Sequence, residues 1–133
     1  MNEPEDILRA YSTIAVVGAS RDPDKPAHDV PAQLKAAGFR IVPVNPHASE
    51  LFGERVYRTL REIRFPVEIV LVFRPSADTP PVARDAVAIG AKALWLQQGI
   101  RSDEARGIAE AGGLSYVEDT CSAVVRSVAR IRK

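Results

Sequence analysis

Five short apolar runs punctuate the chain: Thr13 to Val17 (TIAVV), Arg40 to Val44 (RIVPV), Val67 to Phe73 (VEIVLVF), Ala93 to Leu96 (ALWL) and Leu114 to Val117 (LSYV). Each is shorter than an ordinary helix and nearly continuous in its hydrophobicity, the pattern of a strand buried on both faces of a parallel sheet. Between them the period changes. Val30, Leu34 and Ala37 fall at helical spacing before Gly38. Val82, Ala86 and Ile89 do so before Gly90, behind Asp78 or Thr79 as N-cap, with Pro80 and Pro81 in the first turn. Ala105, Ile108 and Ala109 share a face between Ser102 as cap and Gly112 as stop. Cys121, Val124, Val125, Val128 and Ile131 form a 3.6-residue stripe behind Thr120 as cap. A short helix is expected over Glu5 to Ala10.

Strands alternating with helices, joined by right-handed crossovers, predict an α/β fold: a doubly wound parallel sheet of about five strands. Winding one way and then back from the first strand gives the order 3-2-1-4-5. The stretch from His47 to Pro66 follows the alternation least. Leu51 to Glu54 (LFGE) reads as a turn there, and Thr59 to Ile63 (TLREI) as a short helix. No linker or low-complexity segment appears, so residues 1–133 are expected to form a single domain.

Composition narrows the function classes. The 133 residues carry 18 Lys plus Arg against 17 Asp plus Glu, a net charge of +1. That balance excludes a broad basic surface for nucleic acid but leaves room for one basic pocket. No apolar run approaches the roughly 20 residues of a membrane span. The N-terminus, MNEPEDILRA, is acidic and lacks a signal-peptide core, so a cytoplasmic protein without a membrane partner is expected. A single cysteine rules out an internal disulfide and a multi-thiolate metal site.

Sheets of this kind bind ligands outside the carboxyl ends of their strands, so the residues following each strand are the candidates. After the first strand come Gly18, Ala19, Ser20, Arg21 and, further on, Lys25. The glycine permits close backbone approach, the loop and following helix offer N–H groups, and Ser20, Arg21 and Lys25 add a hydroxyl and two charges suited to phosphate. The spacing is neither G-x-G-x-x-G nor a Walker loop, and an ordinary turn needing a small residue is the alternative reading. The second strand ends at Asn45-Pro46, where a dinucleotide site usually carries an acidic ribose ligand. This counts against NAD without excluding NADP, and plain turn chemistry also accounts for it. Arg74 follows the third strand and is fixed by Pro75; it suits a phosphate contact or a solvated loop. Gln98 and Gly99 offer an amide and an open backbone. Trp95 reads as core.

Catalytic candidates are sparse. His28 stands at a helix start, where it can bond a phosphate or cap the helix, and His47 reads as a surface loop residue. GASRD is not a nucleophile elbow. Glu118 and Asp119 read as charges matching a helix dipole. Cys121, in the first turn of the last helix, is either a thiol of lowered pKa or a small core residue.

The segment IAVVGASRDPDKPAHDVPAQLKAAGFRIVPVNP, with LFGERVYRTLREI, VLVFRP and ALWLQQGI, closely resembles small stand-alone CoA-binding proteins. These are similar to the CoA-binding domain of the succinyl-CoA ligase alpha subunit. The resemblance runs from about Ile14 to Cys121 and lies in the joint order of VGAS, DKP, PVNP, VFRP and WLQ-x-G. It implies a Rossmann-like fold that binds coenzyme A or an acyl-CoA as a small-molecule ligand. It further implies that Gly18 to Lys25 hold the phosphates, and that Asn45, Phe73, Arg74 and the Gln98-Gly99 corner line the adenosine and pantetheine path. The loop departs from the ligase's glycine-rich version in having Ser20-Arg21-Asp22-Pro23. The ligase's phosphorylated histidine belongs to a second domain without a counterpart in these residues, so no catalysis of its own is evident. Two alternatives stay open: an NAD(P)-binding oxidoreductase or redox sensor, and a regulatory interaction protein that responds to CoA or to thiol state. No protein partner is indicated.

Overall fold

The computed structural model describes residues 3–133. Its centre is a parallel sheet of β1 (Thr13–Val17), β2 (Arg40–Val44), β5 (Ile69–Val72), β6 (Ala93–Leu96) and β7 (Ser115–Val117), in the order β2-β1-β5-β6-β7. Residues of β1, β5 and β6 are almost wholly buried, which explains their unbroken apolar character. The side chains divide by strand alternation. Ile14, Val16, Ile69, Leu71 and Trp95 face one side, packed by α1 (Pro4–Ala10), α2 (Pro26–Ala36) and α5 (Ser122–Val128). Ala15, Val70, Val72, Leu94 and Leu96 face the other, covered by α3 (Thr79–Ala88) and α4 (Asp103–Ala111). The fold is thus α/β, Rossmann-like and wound on both faces.

With one bridged residue counted as a strand, the order reads 3-2-1-4-5-6, which contains the expected 3-2-1-4-5. Tyr57 forms a parallel bridge with Val44, its N–H donating to Pro43 O and its carbonyl accepting from Asn45 N. It therefore occupies the third-strand position outside β2. The segment beginning at Val67, expected third, takes the fourth position beside β1, and its ladder is trimmed to Ile69–Val72.

The His47–Pro66 stretch also holds a small antiparallel pair, β3 (Glu50–Leu51) and β4 (Glu54–Arg55). Phe52 and Gly53 turn it with positive φ, which places the expected turn inside a hairpin. The expected short helix contracts to a 3-10 turn at Leu60–Glu62.

The last helix differs from its stripe. Cys121, not Thr120, is its N-cap, and it ends at Val128. Arg130, at φ 57, turns the chain so that Ile131 reaches the core, while Val124 and Val128 stay 57% and 79% exposed. Among the described residues no helix is long and apolar enough to cross a membrane.

Candidate functional site

Gly18 opens the loop after β1. Its φ is +89, and a Cβ there would lie 2.8 Å from the carbonyl oxygen of Phe73. Only glycine lets the loop leave the sheet so close to β5. Beyond it the loop is held by its own short polar residues. Ser20 Oγ accepts from Asp22 N at 3.0 Å, Asp22 Oδ1 accepts from Asp24 N at 2.9 Å, and Lys25 N donates to Asp22 O.

Proline then ties this loop to the helix behind it. Pro31 lies inside α2 and has no N–H for the carbonyl of Ala27, four residues back. That carbonyl accepts instead from Ser20 N at 3.1 Å. His28 completes the tie: its Nδ1 donates to Ser20 O at 2.7 Å, and its ring leans on Phe52. His28 thus braces the loop, with its Nδ1 proton spent on the backbone. The N–H groups of Ala19, Arg21 and Ala27 find no protein acceptor among the described residues.

These residues line a cleft of about 610 Å³ at the carboxyl ends of β1 and β2. Gly18, Ala19, Ser20, Arg21, Lys25 and Ala27 form one wall; Asn45, His47, Ala48 and Phe73 form the other. Asn45 shapes the second wall through both ends of its amide. Nδ2 donates to Ala19 O at 2.7 Å, and Oδ1 accepts from His47 N at 2.6 Å. Asp22 also lines the cleft, its Oδ1 engaged by the Asp24 amide.

A second cleft of about 350 Å³ continues from the first, sharing Lys25, Ala27 and Phe73 with it and adding Arg74, Gln97 and Gln98. Arg74 is half exposed and paired with Asp78 at 3.0 Å. A third, of about 570 Å³, lies between α2 and α5 and shares Pro26, Gln97 and Gln98 with the second. Cys121 is half-buried on its wall.

Gly99 is not the open backbone its position suggested. Its N–H donates to Asp119 Oδ1 at 2.7 Å, while Arg101 holds Oδ2 at 2.6 Å. Asp119 has a φ of 50 and keeps its carboxyl below the usual aspartate range, through the Gly99 amide first and the Arg101 guanidinium second. Glu118 accepts from the Tyr116 hydroxyl at 2.8 Å and pairs with Arg106 at 3.7 Å. Burial, with the Glu118 carboxylate beside it, pushes the Tyr116 phenol well above its ordinary range. Both carboxylates therefore pin the β6–α4 connection rather than matching a helix dipole.

Residues 12–127 match the family of the CoA binding domain. The chain belongs to that family. It is 37% identical over 128 residues to the uncharacterized protein YneT of Bacillus subtilis, a match covering 96% of this chain and 95% of YneT. It is 30% identical over 98 residues to the ADP-forming acetate–CoA ligase II of Archaeoglobus fulgidus, covering 71% of this chain but only 15% of the ligase. Among solved structures, cell-free ID.343 from Thermus thermophilus superimposes with a TM-score of 0.88 at 38% identity, over 92% of this chain and 93% of that one.

In this CoA-binding domain the strand ends bring the first-loop residues, Asn45 and Phe73 to one cleft, and Arg74 and Gln98 to the next. His28 and Gly99 are spent on bracing. Sequence reasoning passed over Ala27 and Pro31 and gave Gln97, at the end of the fourth strand, no role. Only Pro31 carried a signal, since a proline mid-helix always leaves one carbonyl for another donor.

Proposed function

We propose that this chain binds coenzyme A, with the loop from Gly18 to Lys25 holding its phosphates. The observation that carries the reading is the trio of N–H groups of Ala19, Arg21 and Ala27, unpaired within the protein and borne by residues of one cleft wall. Unpaired backbone donors at a helix start attract anions, and Arg21 and Lys25 add full positive charge beside them. The membership of the chain in the CoA-binding domain family supports the same ligand. CoA carries a pyrophosphate and a 3′-phosphate, so a protein of net charge +1 must concentrate its positive charge in this way.

Asn45 supports CoA over a nicotinamide dinucleotide. An NAD site usually carries a carboxylate at the end of the second strand for the ribose hydroxyls, whereas Asn45 is a neutral amide whose Nδ2 donates to Ala19 O and whose Oδ1 accepts from His47 N. Isothermal titration of the purified chain with CoA, NAD and NADP tests the reading. CoA is expected to bind and the dinucleotides to bind more weakly. Absence of CoA binding at millimolar ligand refutes it, and NAD(P) binding that CoA does not displace promotes the dinucleotide alternative.

A further inference from the structure

Gln97 is the one polar side chain of the cleft walls that is both deeply buried and half unpaired. It is 4% exposed. Its Oε1 accepts from Ser122 N at 3.2 Å and Ser122 Oγ at 3.1 Å. The Ser122 amide can only donate, so this end of the side chain is the oxygen. Nε2 is left with two donors and no acceptor among the described residues. Nε2 is not sealed in the interior: with the rest of the side chain packed away, it is the part of Gln97 that reaches the open clefts, where its two N–H groups meet solvent or a ligand. Gln97 lines both the second and the third cleft, at their junction.

That junction is where the end of a CoA arm falls if the phosphates sit on the first loop, because the second cleft leads from Lys25 and Phe73 to Gln97 and Gln98. Beyond Gln97 the chemistry changes. Pro23, Pro26 and Val30 from one side face Ala123 and Val124 from the other. Val124 leaves 57% of its surface uncovered, an apolar surface without a partner. Besides Gln97 and Gln98, the polar residues of the same cleft are Asp24, Asp29, Gln33 and Ser127; among the described residues that line it, the two carboxylates carry the only full charges, and Asp29 accepts from Gln33.

From this we infer that the cleft between α2 and α5 seats the acyl group of a CoA thioester, and that Gln97 Nε2 donates to the thioester carbonyl. The acyl groups it takes are short, apolar and uncharged. Asp24 and Asp29 repel one that ends in a carboxylate. The inference rests on the CoA reading above, and it adds the class of ligand.

Isothermal titration of the full chain with CoA, butyryl-CoA and succinyl-CoA tests it. Butyryl-CoA is expected to bind about tenfold more tightly than CoA, the effect of covering just under two methylene groups. Succinyl-CoA is expected to gain nothing over CoA. Val124→Asp, at an exposed position that does not threaten folding, is expected to erase the butyryl gain. Gln97→Met, with its folding checked by thermal melting, is expected to reduce that gain as well. A butyryl gain under threefold, a preference for succinyl-CoA, or a gain that survives Val124→Asp overturns the acyl site while leaving CoA binding standing. Failure of all three ligands to bind is a different result, and it removes the CoA reading itself.

Discussion

Replacing Gly18 with alanine separates two costs that a single glycine hides. The first is conformational: at a φ of +89 an L-residue is strained, at about 1–2 kcal/mol. The second is contact. The new Cβ would stand 2.8 Å from Phe73 O, and 3.2 Å from both Phe73 C and Arg74 Cδ. Arg74 Cδ can swing away, but the Phe73 carbonyl cannot move freely, because Phe73 N is bonded to Val17 O at 2.9 Å. Forcing backbone apart in this way adds about 1–3 kcal/mol. Gly18→Ala is therefore expected to cost about 2–5 kcal/mol in total. Gly90 provides the control. Its φ is +76 and a Cβ there meets nothing within 4 Å, so Gly90→Ala is expected to cost only the conformational part, about 1–2 kcal/mol. Urea denaturation of both variants and the parent reads the difference directly. Equal destabilisation of the two variants would refute the close-approach argument and leave Gly18 as an ordinary turn glycine.

Lys25→Ala removes the charge shared by the first and second clefts. It is expected to weaken CoA binding by about 1–3 kcal/mol in titration calorimetry, the scale of a charge-assisted hydrogen bond; unchanged affinity would show that the loop does not hold phosphate. Asp119 keeps its carboxyl below the ordinary 3.8, through the Gly99 amide and Arg101. The stability this confers is fully present above that ordinary value and is lost as pH falls through the lowered one. The stability gap between the parent and Asp119→Asn, a residue that also tolerates positive φ, should therefore stay constant from pH 7 down to the ordinary 3.8 and shrink as the pH falls further; a gap that does not change below that value refutes the charge. Trp95 is wholly buried, and its Nε1 donates to Thr120 O at 2.8 Å. Trp95→Phe should cost about 2–4 kcal/mol in the same denaturation assay, from an unpaired carbonyl and lost packing.

Much of the fold is legible along the chain because a strand covered on both faces must be apolar at every position. Thr13–Val17, Arg40–Val44 and Ala93–Leu96 have the same bounds in sequence pattern and structure. Tyr57 is not legible as a strand, since a single bridged residue has no period to detect. The valine stripe of the last helix shows the opposite failure. Period 3.6 correctly marks a helix, yet Val124 and Val128, one turn apart in it, remain outside. Hydrophobic spacing reports which residues share a face, and it does not report whether a neighbour covers that face.

The same division runs through the site. That a glycine, two cations and an amide follow the ends of parallel strands is written in the sequence, because strand ends and the residues after them are local facts. Which donor meets which acceptor is a matter of tertiary distance. His28 turns to Ser20 O, Gly99 to Asp119 and Gln97 to Ser122, the last two pairs across 20 and 25 residues. By itself the sequence determined the alternation of strand and helix, and with it the edge of the sheet where a ligand can lie. Packing alone decided which polar groups are consumed in bracing that edge and which remain open. A hydrogen bond depends on the separation and angle of two atoms, and one-dimensional spacing carries neither once the chain has crossed the sheet.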